Sequence, residues 1–240
     1  MDHSNILGVV LAGGKSQRFG EDKCQVKLGD RLLIDYILSE IIDEFKEVLL
    51  ISNNKIKFKK SNKISLIEDL KKGLGPLGGI VTAMKWIKQN NKNYEWISTF
   101  PSDTPFFKKQ ILNNFLEDIK KEEGKLFFIN SNDTRHNIFG LWSIDLLDRL
   151  EEDLEKGERK VEMWANKIGV KSINMQFENK DPFFNINTKE DLHKGERKVE
   201  MWANKVGVKL INMEFENKDP FFNINTKDDL IKAEKYLKND

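Results

Sequence analysis

Residues 6–23 read Ile-Leu-Gly-Val-Val-Leu-Ala-Gly-Gly-Lys-Ser-Gln-Arg-Phe-Gly-Glu-Asp-Lys. The apolar run Ile6 to Ala12 passes directly into paired glycines and then into three cations, Lys15, Arg18 and Lys23. An unbroken apolar run of this length predicts a strand covered on both faces. Glycine lets the backbone turn and approach a bound group closely. Consecutive free N–H groups in such a turn make a concave anion site. The stretch therefore predicts a buried strand whose carboxyl end opens into a cradle for a polyphosphate. It is not a Walker A loop, because Gly-x-x-x-x-Gly-Lys-Ser/Thr is absent, and it lacks the Gly-x-Gly-x-x-Gly dinucleotide pattern.

Outward from this stretch, strands and helices alternate. Leu33, Ile37, Ile41 and Phe45 recur every four residues and predict a helix over 31–45. Val48 to Ile51, Ile64 to Ile67 and Trp96 to Phe100 read as strands, and 126–129 and 138–142 as two more. Helices are predicted over 80–89, 108–121 and 144–155, with a glycine- and proline-bearing loop at 73–79. This alternation predicts an α/β fold: a mostly parallel, Rossmann-like sheet with helices on both faces, forming a single domain. In such sheets ligands sit at the carboxyl ends of the strands. The polar motifs at 13–23, 52–54, 68–69 and 101–105 all fall there.

Bulk composition narrows the function classes. Forty Lys and Arg against 39 Asp and Glu leave a net charge of +1, which argues against a nucleic-acid coat or a membrane-surface role. A single cysteine, Cys24, allows no internal disulfide. The polar start Met1 to Asn5 and the short run that follows do not make a secretory leader, so a cytoplasmic protein is expected.

The chain ends in a repeat. Lys156 to Leu192 recurs as Lys194 to Leu230, differing only at 168/206, 172/210, 176/214 and 190/228. Two near-identical units do not make a solenoid, which needs three or more. The expected organisation is one α/β domain over 1–192 and, over 193–240, a tandem duplicate followed by a terminal helix. One place on the sheet accepts one copy. Copy one docks without a loop, whereas docking copy two requires the first to bulge out.

Several residues are candidates for chemistry. Asp103 ends a strand between Ser102 and Thr104, with prolines outside them. A carboxylate so placed suits Mg²⁺, which takes few protein ligands and keeps phosphate oxygens; a cap for a helix near 106 is the alternative. Asp69 also stands at a strand end, as a ligand contact or a turn residue. Asn53 suits a base or a ribose, and is equally a common turn residue. Loop 73–79 offers backbone amides to wall a planar base. The histidines, His3, His136 and His193, are scattered, so no protein nucleophile or general base is apparent. Nucleotidyl transfer fits, since positioning and charge neutralisation carry that chemistry. A transferase using a sugar or polyol phosphate, and a non-catalytic nucleotide-binding assembly module, remain open.

Taken together, these motifs resemble those of the molybdenum cofactor guanylyltransferases. Leu11-Ala-Gly-Gly-Lys-Ser-x-Arg-Phe-Gly-x-Asp-Lys23, Glu68-Asp69, Gly75-Pro-Leu-Gly-Gly79, Pro101-Ser-Asp-Thr-Pro105 and Phe183-Phe-Asn-Ile-Asn-Thr188 follow in the family's order. The resemblance implies transfer of GMP from GTP to molybdopterin cofactor, with release of pyrophosphate and with Mg²⁺ as cofactor. It implies nucleotide contacts at Leu11, Ala12, Gly13 and Gly14, phosphate contacts at Lys15, Arg18 and Lys23, guanosine contacts at Asn53 and Asp69, and Mg²⁺ at Asp103. Arg18, Lys23 and Asp103 would carry catalysis. Asn185 and Asn187, duplicated as Asn223 and Asn225, would line the pterin side. Molybdoenzymes or other proteins of cofactor biosynthesis are the implied partners. One departure is Arg135-His-Asn137, where many relatives carry a proline before the Phe-Gly-Leu-Trp strand.

Overall fold

The computed structural model describes residues 3–13, 25–71, 73–132, 134–177, 182–188 and 190–196. The chain divides into two compact units, Met1–Arg197 and Lys198–Asp240, and every described residue belongs to the first.

The predicted alternation is present. β1 (Ile6–Leu11) is followed by a two-residue hairpin, β2 (Lys27–Leu28) and β3 (Arg31–Leu32), which the sequence reading missed. Then come α1 (Leu33–Ile41), β4 (Val48–Ile51), β5 (Ile64–Ile67), α2 (Pro76–Gln89), β6 (Trp96–Pro101) and α3 (Lys109–Ile119). The described part closes with β7 (Leu126–Ser131), β8 (Thr134–Ser143), α4 (Leu147–Glu155), α5 (Val161–Ile168), β9 (Lys171–Met175) and a helix over 190–196.

Seven strands form one sheet in the order β5-β4-β1-β6-β8-β7-β9. Six run parallel, and β8 alone runs against its neighbours β6 and β7. The chain steps outward from β1 to β4 and β5, then returns to β6 on the other side. That reversal is the topological switch point at which such sheets bind ligands.

Side chains of β1 alternate between two cores, as a strand buried on both faces requires. Ile6 and Val10 pack with α1 and α3, whereas Leu7 and Val9 pack with α2, α4 and α5. Gly140 is required where β8 crosses β7, because a Cβ there would sit 2.9 Å from the Phe127 carbonyl oxygen. The helices are also tied by charge. Buried Asp153 on α4 accepts from Arg149 Nε at 3.0 Å, Lys167 Nζ at 2.7 Å and Trp164 Nε1 at 3.0 Å, which fixes α5 against α4. These donors, Lys167 foremost, hold the Asp153 carboxyl below its ordinary pKa.

The first repeat copy supplies α5, β9 and the segment 182–188. β9 pairs in parallel with β7 from Phe127↔Lys171 to Ser131↔Met175. Trp164 stacks on Trp142 with centroids 5.9 Å apart, and Phe183 and Ile186 are buried. The second copy, with Asn223 and Asn225, lies outside the described residues apart from the start of the repeat at 194–196.

One boundary needs correction. Residues 76–79 belong to helix α2 and not to a loop, since Pro76 occupies its first turn. Proline has no N–H to lose there, and its fixed φ is already helical. Gly79 is tolerated within the helix because it lets α2 close on β1: a Cβ would come 2.8 Å from Leu11 Cδ2.

Candidate active site

Sheet register aligns the candidate residues before any side chain is considered. Leu11 pairs with Ile51 on one side and Pro101 on the other, and Ile51 pairs with Ile67. Four parallel strands thus end in one row, and the next residues are Ala12-Gly13, Ser52-Asn53, Glu68-Asp69 and Ser102-Asp103. Backbone bonds extend the row past the strands, with Ala12 N–H donating to Ile51 C=O at 2.8 Å and Ser52 N–H to Ile67 C=O at 3.0 Å.

Asp69 is the hub of one half. Its Oδ2 accepts from Asn53 Nδ2 at 3.1 Å, and its Oδ1 from Thr82 Oγ1 at 3.4 Å. Thr82 Oγ1 in turn accepts the Leu70 N–H at 3.1 Å, so α2 orients the carboxylate from below. A Cβ placed on Gly13 would lie 3.9 Å from Asp69 Oδ2, which puts exposed Gly13 beside the carboxylate. Burial pushes the Asp69 pKa up, against the two donated hydrogen bonds. Asn53 Oδ1 is buried and accepts no hydrogen bond from the described residues. A buried carbonyl left in that state costs free energy, so the site is ready for a ligand N–H or O–H.

Asp103 heads the other half. Ser102 and Thr104 are buried on either side of it, whereas Asp103 is half-buried. It does not cap the following helix, which starts at Lys109. There Glu40 of α1 accepts the Lys109 N–H at 3.0 Å and pairs with Lys108 at 2.8 Å. The Asp103 main-chain carbonyl instead accepts the Ile186 N–H at 3.1 Å, which brings 182–188 to the same edge. Buried Ile186 separates two exposed asparagines, Asn185 and Asn187. Beyond them Thr188 and Asp191 form a reciprocal cap: Asp191 N–H donates to Thr188 Oγ1 at 3.1 Å, and Asp191 Oδ2 accepts from Thr188 Oγ1 at 2.9 Å and Asn187 N–H at 3.1 Å.

Leu11, Ala12, Gly13, Asn53, Asp69, Asp103, Asn185 and Asn187 therefore share the carboxyl edge of the sheet. Gly14, Lys15, Arg18 and Lys23 lie outside the described residues. The sequence reading missed Thr82 and the pair Ser131–His136 beside Phe183. A threonine on the second turn of the helix that follows the Glu68-Asp69 strand end was the available signal for Thr82.

Among the described residues no three His, Cys, Asp or Glu gather into a metal cluster. Magnesium does not need one, since one or two carboxylates together with phosphate oxygens and water suffice. Asp103, half-buried at the strand-end row, fits that donor set. Among the described residues no helix is long and apolar enough to cross a membrane.

An exposed glycine, an amide and two carboxylates along the switch-point edge of a mostly parallel sheet define an enzyme of the nucleotidyltransferase class. The chain belongs to the MobA-like NTP transferase domain family, whose model matches residues 8–168. It is 33% identical over 166 residues to the probable molybdenum cofactor guanylyltransferase of Halalkalibacterium halodurans, a match covering 67% of this chain and 81% of that protein. It is 28% identical over 184 residues to the molybdenum cofactor guanylyltransferase of Nitrobacter hamburgensis, covering 75% and 88%. A crystal structure of a putative protein from Aquifex aeolicus superposes with a TM-score of 0.64 at 26% identity, covering 78% of this chain and 96% of that one.

Proposed function

We propose that the protein transfers GMP from GTP to the molybdopterin cofactor, forming the guanine dinucleotide cofactor and releasing pyrophosphate. The observation that carries this reading is the alignment of Gly13, Asn53, Asp69 and Asp103 along one strand-end row, with Asn185 and Asn187 held beside Asp103. Residues 1–192 form the transferase domain, and 193–240 form an appended tail.

In this reading Asn53 and Asp69 receive the guanosine moiety, and the unused Asn53 carbonyl accepts one of its donors. Leu11 to Gly14 offer main-chain amides to the triphosphate, and Lys15, Arg18 and Lys23 neutralise it. A terminal phosphate oxygen of molybdopterin attacks the α-phosphorus of GTP. One P–O bond forms, the bond from the α-phosphorus to the α,β-bridging oxygen breaks, and the pair of electrons leaves on pyrophosphate. The attacking oxygen is already ionised, so no side chain has to remove a proton. Asp103 would hold Mg²⁺, which when bound supplies positive charge to the α-phosphate and the leaving group. Asn185 and Asn187 present carboxamides to the acceptor.

The test is direct. Purified protein given GTP, Mg²⁺ and molybdopterin releases pyrophosphate, whereas ATP and CTP in place of GTP give little. Release with a sugar phosphate and none with molybdopterin would overturn the acceptor assignment.

A further inference from the structure

The segment 182–188 that carries the two asparagines is held at three points. Ile186 N–H bonds to the Asp103 carbonyl at 3.1 Å, and the Thr188–Asp191 cap closes the far end. The third point is Phe183, which is 4% exposed. Three phenylalanines reach it at tilted or edge-on angles: Phe139 at 4.9 Å, Phe177 at 5.7 Å and Phe107 at 6.3 Å between centroids. Only one ring among the described contacts lies flat on it. The imidazole of His136, at the start of β8, stacks with centroids 3.9 Å apart and planes 25° from parallel. His136 is itself pinned, because its Nε2 lies 2.7 Å from Oγ of Ser131, a residue 3% exposed at the end of β7.

These contacts make a short mechanical path. Ser131 fixes the imidazole, the imidazole covers Phe183, and two and four residues further on stand Asn185 and Asn187. We propose that His136 is a positioning residue for the acceptor side of the site, setting where Asn185 and Asn187 stand relative to Asp103 by clamping Phe183. It acts through the flat face of its ring and not through its proton. The nucleotide half is built on the ends of β4 and β5 and on α2, and β1 and β6 stand between those strands and β8, so the affinity for GTP is independent of the clamp. The inference rests on the reading of Asn185 and Asn187 as acceptor contacts, and one readout below does not depend on that reading.

The experiment compares His136→Ala and His136→Phe in the full chain. A planar phenyl ring keeps the stack and loses the bond to Ser131, whereas alanine loses both. A stacked aromatic pair is worth roughly a threefold to tenfold effect. In His136→Ala the amide of Ile186 therefore exchanges with solvent deuterium about threefold to tenfold faster, and in His136→Phe it stays within about twofold of the parent chain. The KM for molybdopterin rises by the same factor in His136→Ala, with kcat and the KM for GTP within about twofold, and His136→Phe restores it. Unchanged Ile186 exchange in His136→Ala overturns the proposal. So does a fall in kcat at constant molybdopterin KM, which would place the ring in the chemistry. If the parent chain releases no pyrophosphate, the transferase reading fails while the exchange comparison still decides the clamp.

Discussion

Asn53 and Asp69 stand on neighbouring strand ends, sixteen residues apart in the chain, and the amide of one donates to the carboxylate of the other at 3.1 Å. The bond joins a half-buried carboxylate, whose pKa burial raises, to an amide whose carbonyl is buried and unsatisfied. Neither arrangement favours folding by itself. Groups held at a cost to stability are common at sites shaped for a ligand.

Asp69→Asn separates the two roles. The native carboxyl holds its proton to higher pH than the unfolded one, so the native state binds more protons between the ordinary aspartate value of 3.8 and the raised value. Its contribution to stability is present below 3.8 and is lost as pH rises through the folded pKa. The amide variant escapes that loss. Its unfolding midpoint at pH 7 exceeds that of the parent, and the gap closes toward pH 4. Activity falls on the order of a hundredfold with the lost charge. Thermal unfolding between pH 4 and 7, with pyrophosphate release at pH 7, checks both statements.

Asp103→Asn leaves the fold intact, because the bond from Ile186 goes to the main-chain carbonyl and not to the side chain. Pyrophosphate release drops by a factor on the order of 10²–10³. Titration with Mg²⁺ shows a higher midpoint than in the parent. A variant with unchanged turnover and unchanged Mg²⁺ dependence would remove Asp103 from the chemistry.

The sheet was legible in the sequence because strands buried on both faces leave unbroken apolar runs. Val48 to Ile51, buried at every position, falls where its run places it, and so does the edge strand Ile64 to Ile67, although it is only partly buried and Ser65 interrupts its run. The strand-end row was legible for the same reason, since the first run stops at paired glycines and the others at polar pairs. What was not legible depends on partners distant in sequence. Residues 76–79 read as a loop because two glycines disfavour a helix, yet packing of α2 on β1 requires small residues there. Thr82 gained its role only from where α2 places it, against Asp69. The repeat makes the same point. Lys156-Gly157-Glu158 forms the turn after α4, with Gly157 at φ 97°, whereas the identical Lys194-Gly195-Glu196 lies within the helix over 190–196. At Gly195 the added Cβ would press on Ile186 and Leu28, each at 3.2 Å, so tertiary packing and not local sequence selects the conformation.

Asp153→Asn weakens the seat of the first repeat copy. The carboxylate is 1% exposed and serves three donors, among them the indole N–H of fully buried Trp164, whereas an amide offers one acceptor oxygen in place of two. The expected loss is about 1–3 kcal/mol by urea unfolding at pH 7. Because the Asp153 pKa is lowered in the fold, its stabilisation is present above the ordinary value of 3.8 and is lost as pH falls through the folded one. The difference between parent and variant therefore shrinks on acidification.

Phe183→Ala and Phe221→Ala truncate the same residue of the two copies and test which copy holds the sheet. Phe183 is nearly fully buried among four rings, and emptying that volume costs about 3–5 kcal/mol. If copy one is the docked copy, as its contacts with β7 and Trp142 indicate, Phe221→Ala stays within about 0.5 kcal/mol, as substitutions away from a core do. Urea unfolding of the two full-length variants separates the cases. Equal losses would mean that both copies are packed, and a loss confined to Phe221→Ala would assign the sheet edge to copy two.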